Sequence, residues 1–351
     1  MILPSTTLAS LLLLILTLFC WSSWANTQKL TSGWRFELFY CDFTIGMALC
    51  TLIAMFTLGS MNPQELSFSD NLLIASYRKM AFAFAAGMVI NLANMLLVGA
   101  ISTSGMAAVF PIAFSVGLIV TSLVNFIGDS RSINAALLFG GMVLILGAVL
   151  ADILALIGSA ASGPKPVPVP TAKGQQPART RSATRGIPLS MASGIAFGFF
   201  FPIVDSARIG DNGVGPYGLA GLIGAGMLFS TVLYMPFFVT FPVAGEPVRM
   251  GHYFLAMRRY HIWGIFGGLV WTSGMIAALV EQSSPTPLQA GPVTASMLLW
   301  AAPVVAAFWG AAAWREFKTA PQSSKTFLLG TIVLFILGLT LMSMAQIYGQ
   351  K

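Results

Sequence analysis

Asn91 and Asn94 stand three residues apart in GMVINLANMLLVGA, residues 87–100, a stretch that is otherwise apolar. On a helix, that spacing puts both carboxamides on one face. A carboxamide brings two N–H donors and a carbonyl acceptor, and none is left unpaired in hydrocarbon without cost. Two chemistries satisfy them: hydrogen bonds to a neighbouring helix, or hydrogen bonds to a polar solute held between helices. Trp271 and Thr272, followed by Ser273 and Gly274, form a second constellation, in which an aromatic face beside small polar groups suits stacking on a flat ring or a sugar. Trp300 stands in a further apolar run, which Gln289 precedes. Trp21 and Trp24 stand near the end of the first run, where anchoring at the membrane interface and solute binding are both open. The expected substrate-binding set is therefore Asn91, Asn94, Trp271, Thr272, Trp300, Gln289, Trp21 and Trp24. Pro111 and Pro292 lie early in two apolar runs and are expected to break those helices, freeing carbonyls for helices, water or substrate.

Ionisable groups inside the apolar runs are few. Asp152, in VLADILALIG, is a functional candidate because of its depth, and Glu281 ends another run. Proton coupling through either is one reading; a protonated structural role for Asp152 and an interfacial position for Glu281 are the others. No Lys or Arg occupies the middle of a run. A phosphorylated or otherwise anionic solute needs cations to replace its water, so the expected ligand is small, neutral and polar.

Other chemistries lack their residues. Cys20, Cys41 and Cys50 show no metal-ligand spacing, no cofactor motif is present, and HExxH and a serine-protease GxSG are missing. His252 and His261 read as lying in or beside a basic connection. The chain is not expected to be an enzyme, and without a filter loop or ring of like charges it is not expected to be a channel. A receptor or scaffold that binds without moving its ligand stays open as an alternative.

These residues must be positioned by membrane helices. Of 351 residues, 56% are hydrophobic and 8% charged, against roughly 25% charged in a soluble domain. Continuous apolar runs of about 20 residues, without period-two alternation, indicate an all-α membrane protein in a lipid bilayer. Ten spans are expected at 7–24, 43–61, 80–100, 105–127, 134–159, 188–205, 217–241, 262–280, 290–312 and 326–347. The first imitates a secretory signal but has no Lys or Arg ahead of it, and it reads as a span. Residues 162–187 form a Pro-rich, basic linker between two five-span halves, 1–161 and 188–351. Gly87 and Gly268, Pro111 and Pro292, and LLFG and FLLG recur in the same order in both halves. Because five is odd, the second half enters the bilayer from the opposite side, giving an inverted repeat. The net charge of +7 sits in the connections, which makes it a topology signal; no nucleic-acid partner is expected. Thirteen Lys and Arg flank one side, with Lys29, Arg35, the linker, the connection of spans 7 and 8, and that of spans 9 and 10. Five flank the other. The positive-inside rule then puts both termini outside.

Two longer stretches carry a family likeness. AAGMVINLANMLLVGAISTSGMAAVFPI, after WRFELFYCDFTIG, resembles the drug/metabolite transporter superfamily. GIFGGLVWTSGMIAALVEQSSPTPLQAGPVTASMLLWAAPVVAAFWGAAAWREFKTA looks like the matching region of ureide permeases and rhamnose–proton symporters. The resemblance implies a fold of two inverted five-span halves whose first four helices each build a central cavity. It also implies a carrier of a small metabolite such as a ureide, nucleobase or sugar, possible coupling to protons, and export as the alternative direction. It implies both termini in the cytoplasm, opposite to the charge count. The nucleotide-binding-like motif of the ureide permeases' central loop is missing from this linker. The expected location is a bacterial inner membrane.

Overall fold

The computed structural model describes residues 1–31, 33–61, 66–162, 183–243, 245–285 and 291–349, of which 183, 184 and 292 by backbone alone. Gln289 and most of the Pro-rich linker lie outside them. Among the described residues ten helices are long and apolar enough to cross a membrane, and no strand accompanies them. They are span 1 (Thr7–Leu30), span 2 (Phe36–Phe56), span 3 (Tyr77–Ser104), span 4 (Met106–Gly128) and span 5 (Ala135–Ala161), then span 6 (Arg185–Arg208), span 7 (Pro216–Thr240), span 8 (Arg258–Gln282), span 9 (Val293–Ala313) and span 10 (Gln322–Ala345). The chain is an integral membrane protein of the all-α class. Span 2 departs furthest from expectation. It begins at Phe36, not 43, because FELFYCD lowers the local hydropathy although Glu37 and Asp42 are both buried. His261 correspondingly lies in the first turn of span 8, beside the connection that precedes it.

The expectation for the two prolines is corrected. Span 4 is continuous through Pro111, which sits in its second turn, close to the end where the helix ladder is just starting. Pro292 is the first residue of the helix Pro292–Trp300, where the missing N–H has no partner to lose. Span 9 is interrupted later, at Ala301, immediately ahead of the helix Ala302–Phe308 with Pro303 in its first turn.

Span 4 follows span 3 through a single residue, Gly105, whose φ of +90° suits glycine. Glu316, beyond span 9, closes against this corner. Its carboxylate accepts the backbone N–H groups of Met106 at 3.1 Å and Ala107 at 2.8 Å and pairs with Lys29 at 2.5 Å. A carboxylate there complements the positive end of span 4.

The main packing partners are spans 3 and 6, 1 and 8, 4 and 6, 1 and 9, 2 and 8, 3 and 7, 4 and 5, 9 and 10, 7 and 8, and 2 and 3, with 2 on 7, 4 on 9 and 5 on 10. Exchanging every span with the one five places along maps this set onto itself, while the lighter contacts of 3 with 4, 4 with 10, 5 with 6 and 6 with 7 lie outside it. That pattern is consistent with an inverted repeat.

Two of the contacts use one device. A Cβ at Gly46 would stand 2.0 Å from the carbonyl oxygen of Ile265, and one at Gly268 2.0 Å from that of Phe43, so spans 2 and 8 touch backbone to backbone. A Cβ at Gly87 would stand 2.1 Å from the oxygen of Ile223, and one at Gly226 2.1 Å from that of Phe84, so spans 3 and 7 do the same. Gly46 and Gly226 are 180 positions apart, Gly87 and Gly268 181. Between helices in lipid, such close approach supplies the dispersion contacts that a hydrophobic driving force cannot.

Candidate functional site

Trp21 and Trp24 are buried, 2% and 1% exposed, and face the protein interior, not a membrane interface. Span 1 is made of two helices that meet where they sit, Thr7–Ser23 and Ala25–Leu30. From there a closed circuit of seven aromatic rings can be followed. Trp24 meets Phe43 (centroids 4.9 Å apart), Phe43 meets Trp271 (6.5 Å), and Trp271 stacks on Trp21 (6.1 Å, planes 19° apart). Trp21 meets Phe197 (5.9 Å), Phe197 meets Phe114 (4.8 Å), Phe114 stacks on Phe110 (5.7 Å), and Phe110 returns to Trp24 (6.4 Å). Trp300 meets both Phe114 and Phe197 edge-on, with Phe201 beside it. Among the described residues no ring contact crosses the circuit. Its members come from spans 1, 2, 4, 6 and 8, so both halves of the chain contribute.

Several polar groups on the circuit's rings and on spans 3 and 8 lack hydrogen-bond partners among the described residues. The Trp21 indole N–H donates to the Trp271 carbonyl at 3.3 Å. Among the described residues no group accepts from the indole N–H of Trp24, Trp271 or Trp300. Asn94 and Thr272, 2% and 0% exposed, keep a buried amide nitrogen and a buried hydroxyl without a partner among the described residues. Unmet buried polar groups of this kind are uncommon in a native fold and call for an explanation. Both cation–ring contacts among the described residues, Arg78 over Phe82 and Arg259 over Tyr260, lie elsewhere.

Asn91 behaves differently from Asn94. Its oxygen accepts from the Tyr40 hydroxyl at 2.8 Å, and its NH2 group reaches the Met227 carbonyl (3.1 Å) and the hydroxyls of Ser230 (2.8 Å) and Thr231 (3.0 Å). Its carboxamide therefore ties span 3 to spans 2 and 7. The carboxylate oxygens of Asp152 are buried on span 5 with no partner among the described residues. Glu281 is buried, at 2% exposure, at the end of span 8, and is engaged there. Neither belongs to the circuit.

A second cluster escaped sequence reasoning altogether. Asp42, 1% exposed, accepts from the Tyr253 hydroxyl at 2.5 Å on one oxygen and lies 2.7 Å from His261 Nδ1 on the other. Trp34 covers the group, stacked on Tyr260 (5.7 Å, 18°) and edge-on to His261 (5.1 Å). Partial burial first, and then the bond to Asp42, push the phenol of Tyr253 well above its ordinary value. Asp42 and His261 are 219 residues apart, and nothing local announces their pairing. The phenylalanines of the circuit were equally silent, because Phe is an ordinary residue of any apolar span.

No family model matches the chain, and no solved structure matches it. Among curated proteins it is similar to three from Arabidopsis thaliana. It is 28% identical to ureide permease 1 over 138 residues, 39% of this chain and 35% of that protein. It is 28% identical to ureide permease 3 over 138 residues, 39% of this chain and 40% of that protein, and 29% identical to ureide permease 2 over 113 residues, 31% and 28%. The match thus spans well under half the length of each relative. These relatives are permeases by name, not enzymes, and the chain resembles a membrane transporter over that part.

Proposed function

We propose that this chain is a secondary transporter. It carries a small, neutral, planar and carbonyl-rich nitrogen compound, of the ureide or nucleobase kind, by alternating access between two inverted five-span halves, 1–161 and 188–351. The observation that carries the reading is the aromatic circuit contributed by both halves. Ring faces stack on a flat solute. The unmet groups of Trp24, Trp271, Asn94 and Thr272 are mainly donors, suited to carbonyl oxygens. Among the described residues no cation joins them, which disfavours phosphates and carboxylates. A sugar, whose hydroxyls ask for acceptors as well as donors, fits this set less well. The similarity to proteins named ureide permeases supports the same class. Asn91 belongs to the framework on this reading, and Trp300 backs the circuit at Phe114 and Phe197. A bundle of helices, not a β-barrel, suits an inner membrane if the cell is bacterial.

The test is flux into vesicles of purified protein, with allantoin, uracil and rhamnose as labelled solutes. Saturable exchange of a heterocycle is expected, with Trp271→Ala and Trp24→Leu lowering it at least tenfold. Saturable exchange of rhamnose alone would remove the substrate class. Binding with no flux of any solute would make the chain a receptor.

A further inference from the structure

Asp42 stands one residue before Phe43, a member of the aromatic circuit, and His261 stands on the helix that carries Trp271. A Cβ at Gly264 would lie 2.5 Å from the Asp42 Cβ, so spans 2 and 8 are in direct contact where the two side chains meet. We propose that Asp42 and His261 together form the proton-binding site of this transporter, taking up one proton per cycle and so setting how span 2 is fastened to span 8. The proposal rests on the transport reading above.

Charge counting carries it. With an imidazolium beside the carboxylate, the pair is neutral, which a membrane interior tolerates. With a neutral imidazole, the pair holds one net negative charge, steadied only by two hydrogen bonds, one from Tyr253 and one from the ring N–H. A buried charge without its counter-charge is costly. The two states differ by one proton, taken from water onto the imidazole, and no other bond changes. Histidine is the side chain whose charge ordinarily changes between about pH 5 and 8. The access route is visible too. The Asp42 side chain is 2% exposed and that of His261 24%, so the ring links the buried carboxylate to the outer surface of the protein at the start of span 8.

Among the described residues, the groups around the pair leave it as the one titrating couple in this contact. Cys41 neighbours Asp42 on span 2, and Tyr260 and the exposed Arg258 and Arg259 begin span 8. Lys29 on span 1 is held by Glu316, and Arg35 by Glu37, at 2.8 Å. From the short helix Gly251–Phe254, Tyr253 faces Asp42 and His252 is exposed. Asp152, by comparison, has no base beside it among the described residues and stands on span 5, off the circuit.

The experiment measures proton entry with a pH dye trapped in vesicles, and heterocycle exchange at equal pH in the same vesicles, with uracil and allantoin as solutes. Protons moved per solute exchanged should fall at least tenfold in His261→Gln and in Asp42→Asn. Tyr253→Phe keeps both titrating groups and removes a bond that favours the ionised carboxylate. The pH of half-maximal proton-driven uptake should therefore rise, by roughly half a unit or more. This variant keeps the proposal testable if the other two do not fold. No exchange in the unaltered protein overturns the transport reading and this proposal with it. Exchange without proton movement, proton movement that survives His261→Gln and Asp42→Asn, or an unmoved midpoint in Tyr253→Phe overturns this proposal alone.

Discussion

The contact of spans 3 and 7 and the contact of spans 2 and 8 are built alike and fastened differently. In each, two glycines, one per helix, press against a carbonyl oxygen of the facing helix. Around the first pair, the fastening is a carboxamide, with Asn91 bonded to neutral hydroxyls and a carbonyl. Around the second it is a carboxylate, an imidazole and a phenol. Neutral partners keep one strength at every ordinary pH, whereas an Asp–His pair does not. Close packing and polar fastening are thus separable. One contact has the makings of a fixed frame, and the other has a part that a proton can alter.

Enlarging the glycines should have the greatest effect. In Gly87→Ala, Gly226→Ala, Gly46→Ala and Gly268→Ala the new methyl meets backbone, which has no rotamer to escape through. Each is expected to cost about 1–3 kcal/mol or more, read as a fall in thermal stability in detergent. Gly330→Ala, with nothing within 4 Å, is expected to cost nothing. Losses of similar size at both contacts would support their likeness. Losses confined to one contact would break the comparison at its base.

Smaller effects should separate the fastenings. Asn91→Leu removes several bonds, but Ser230 and Thr231 keep their bonds to Gly226 and Met227 on their own helix. A cost of about 1–2 kcal/mol is expected, the same at acid and alkaline pH. His261→Gln should behave otherwise. Its cost should be larger in acid than in alkali between about pH 5 and 8, where a histidine side chain ordinarily changes charge and glutamine does not, because a charged ring can pair with the Asp42 carboxylate. Unfolding followed at both ends of that range reads the difference. A pH-dependent loss in Asn91→Leu, or a flat one in His261→Gln, would assign the fastenings wrongly.

Much of this architecture was legible in the chain because hydrocarbon imposes a strong rule. Ten apolar runs became ten helices, and Gly87 and Gly268, matched by order alone, turned out to occupy corresponding contacts. Trp271 stood out because a large ring beside small polar residues is uncommon mid-span, whereas Trp21, near the end of its run, was open to interface anchoring until its stacking on Trp271 placed it inside. Asp42 was hidden because span 2 carries its polar residues at one end, so an average over its length starts it too late. Pro292 misled because proline marks a helix start as readily as a break, and only the neighbouring backbone distinguishes the two. Asn91 and Asn94 looked equivalent from their spacing, and what separates them is Tyr40, Ser230 and Thr231, residues on other helices.

The finest comparison is between Asn91 and the residue that stands 181 positions further on, Thr272, by the same offset as Gly87 and Gly268. Asn91 has partners for its whole carboxamide, while the Thr272 hydroxyl, fully buried, has none among the described residues. If that hydroxyl exists for the solute, Thr272→Val removes it without a packing penalty, since valine has nearly the same shape and leaves no donor stranded. Stability should then hold within about 0.5 kcal/mol or rise slightly, while the concentration of heterocycle needed for half-maximal exchange rises about threefold to tenfold, as for one hydrogen bond. A stability loss like that of Asn91→Leu, with exchange unchanged, would mean that the hydroxyl holds helices together. The two contacts would then be framework alike, and recognition would fall to Trp24, Trp271 and Asn94 alone.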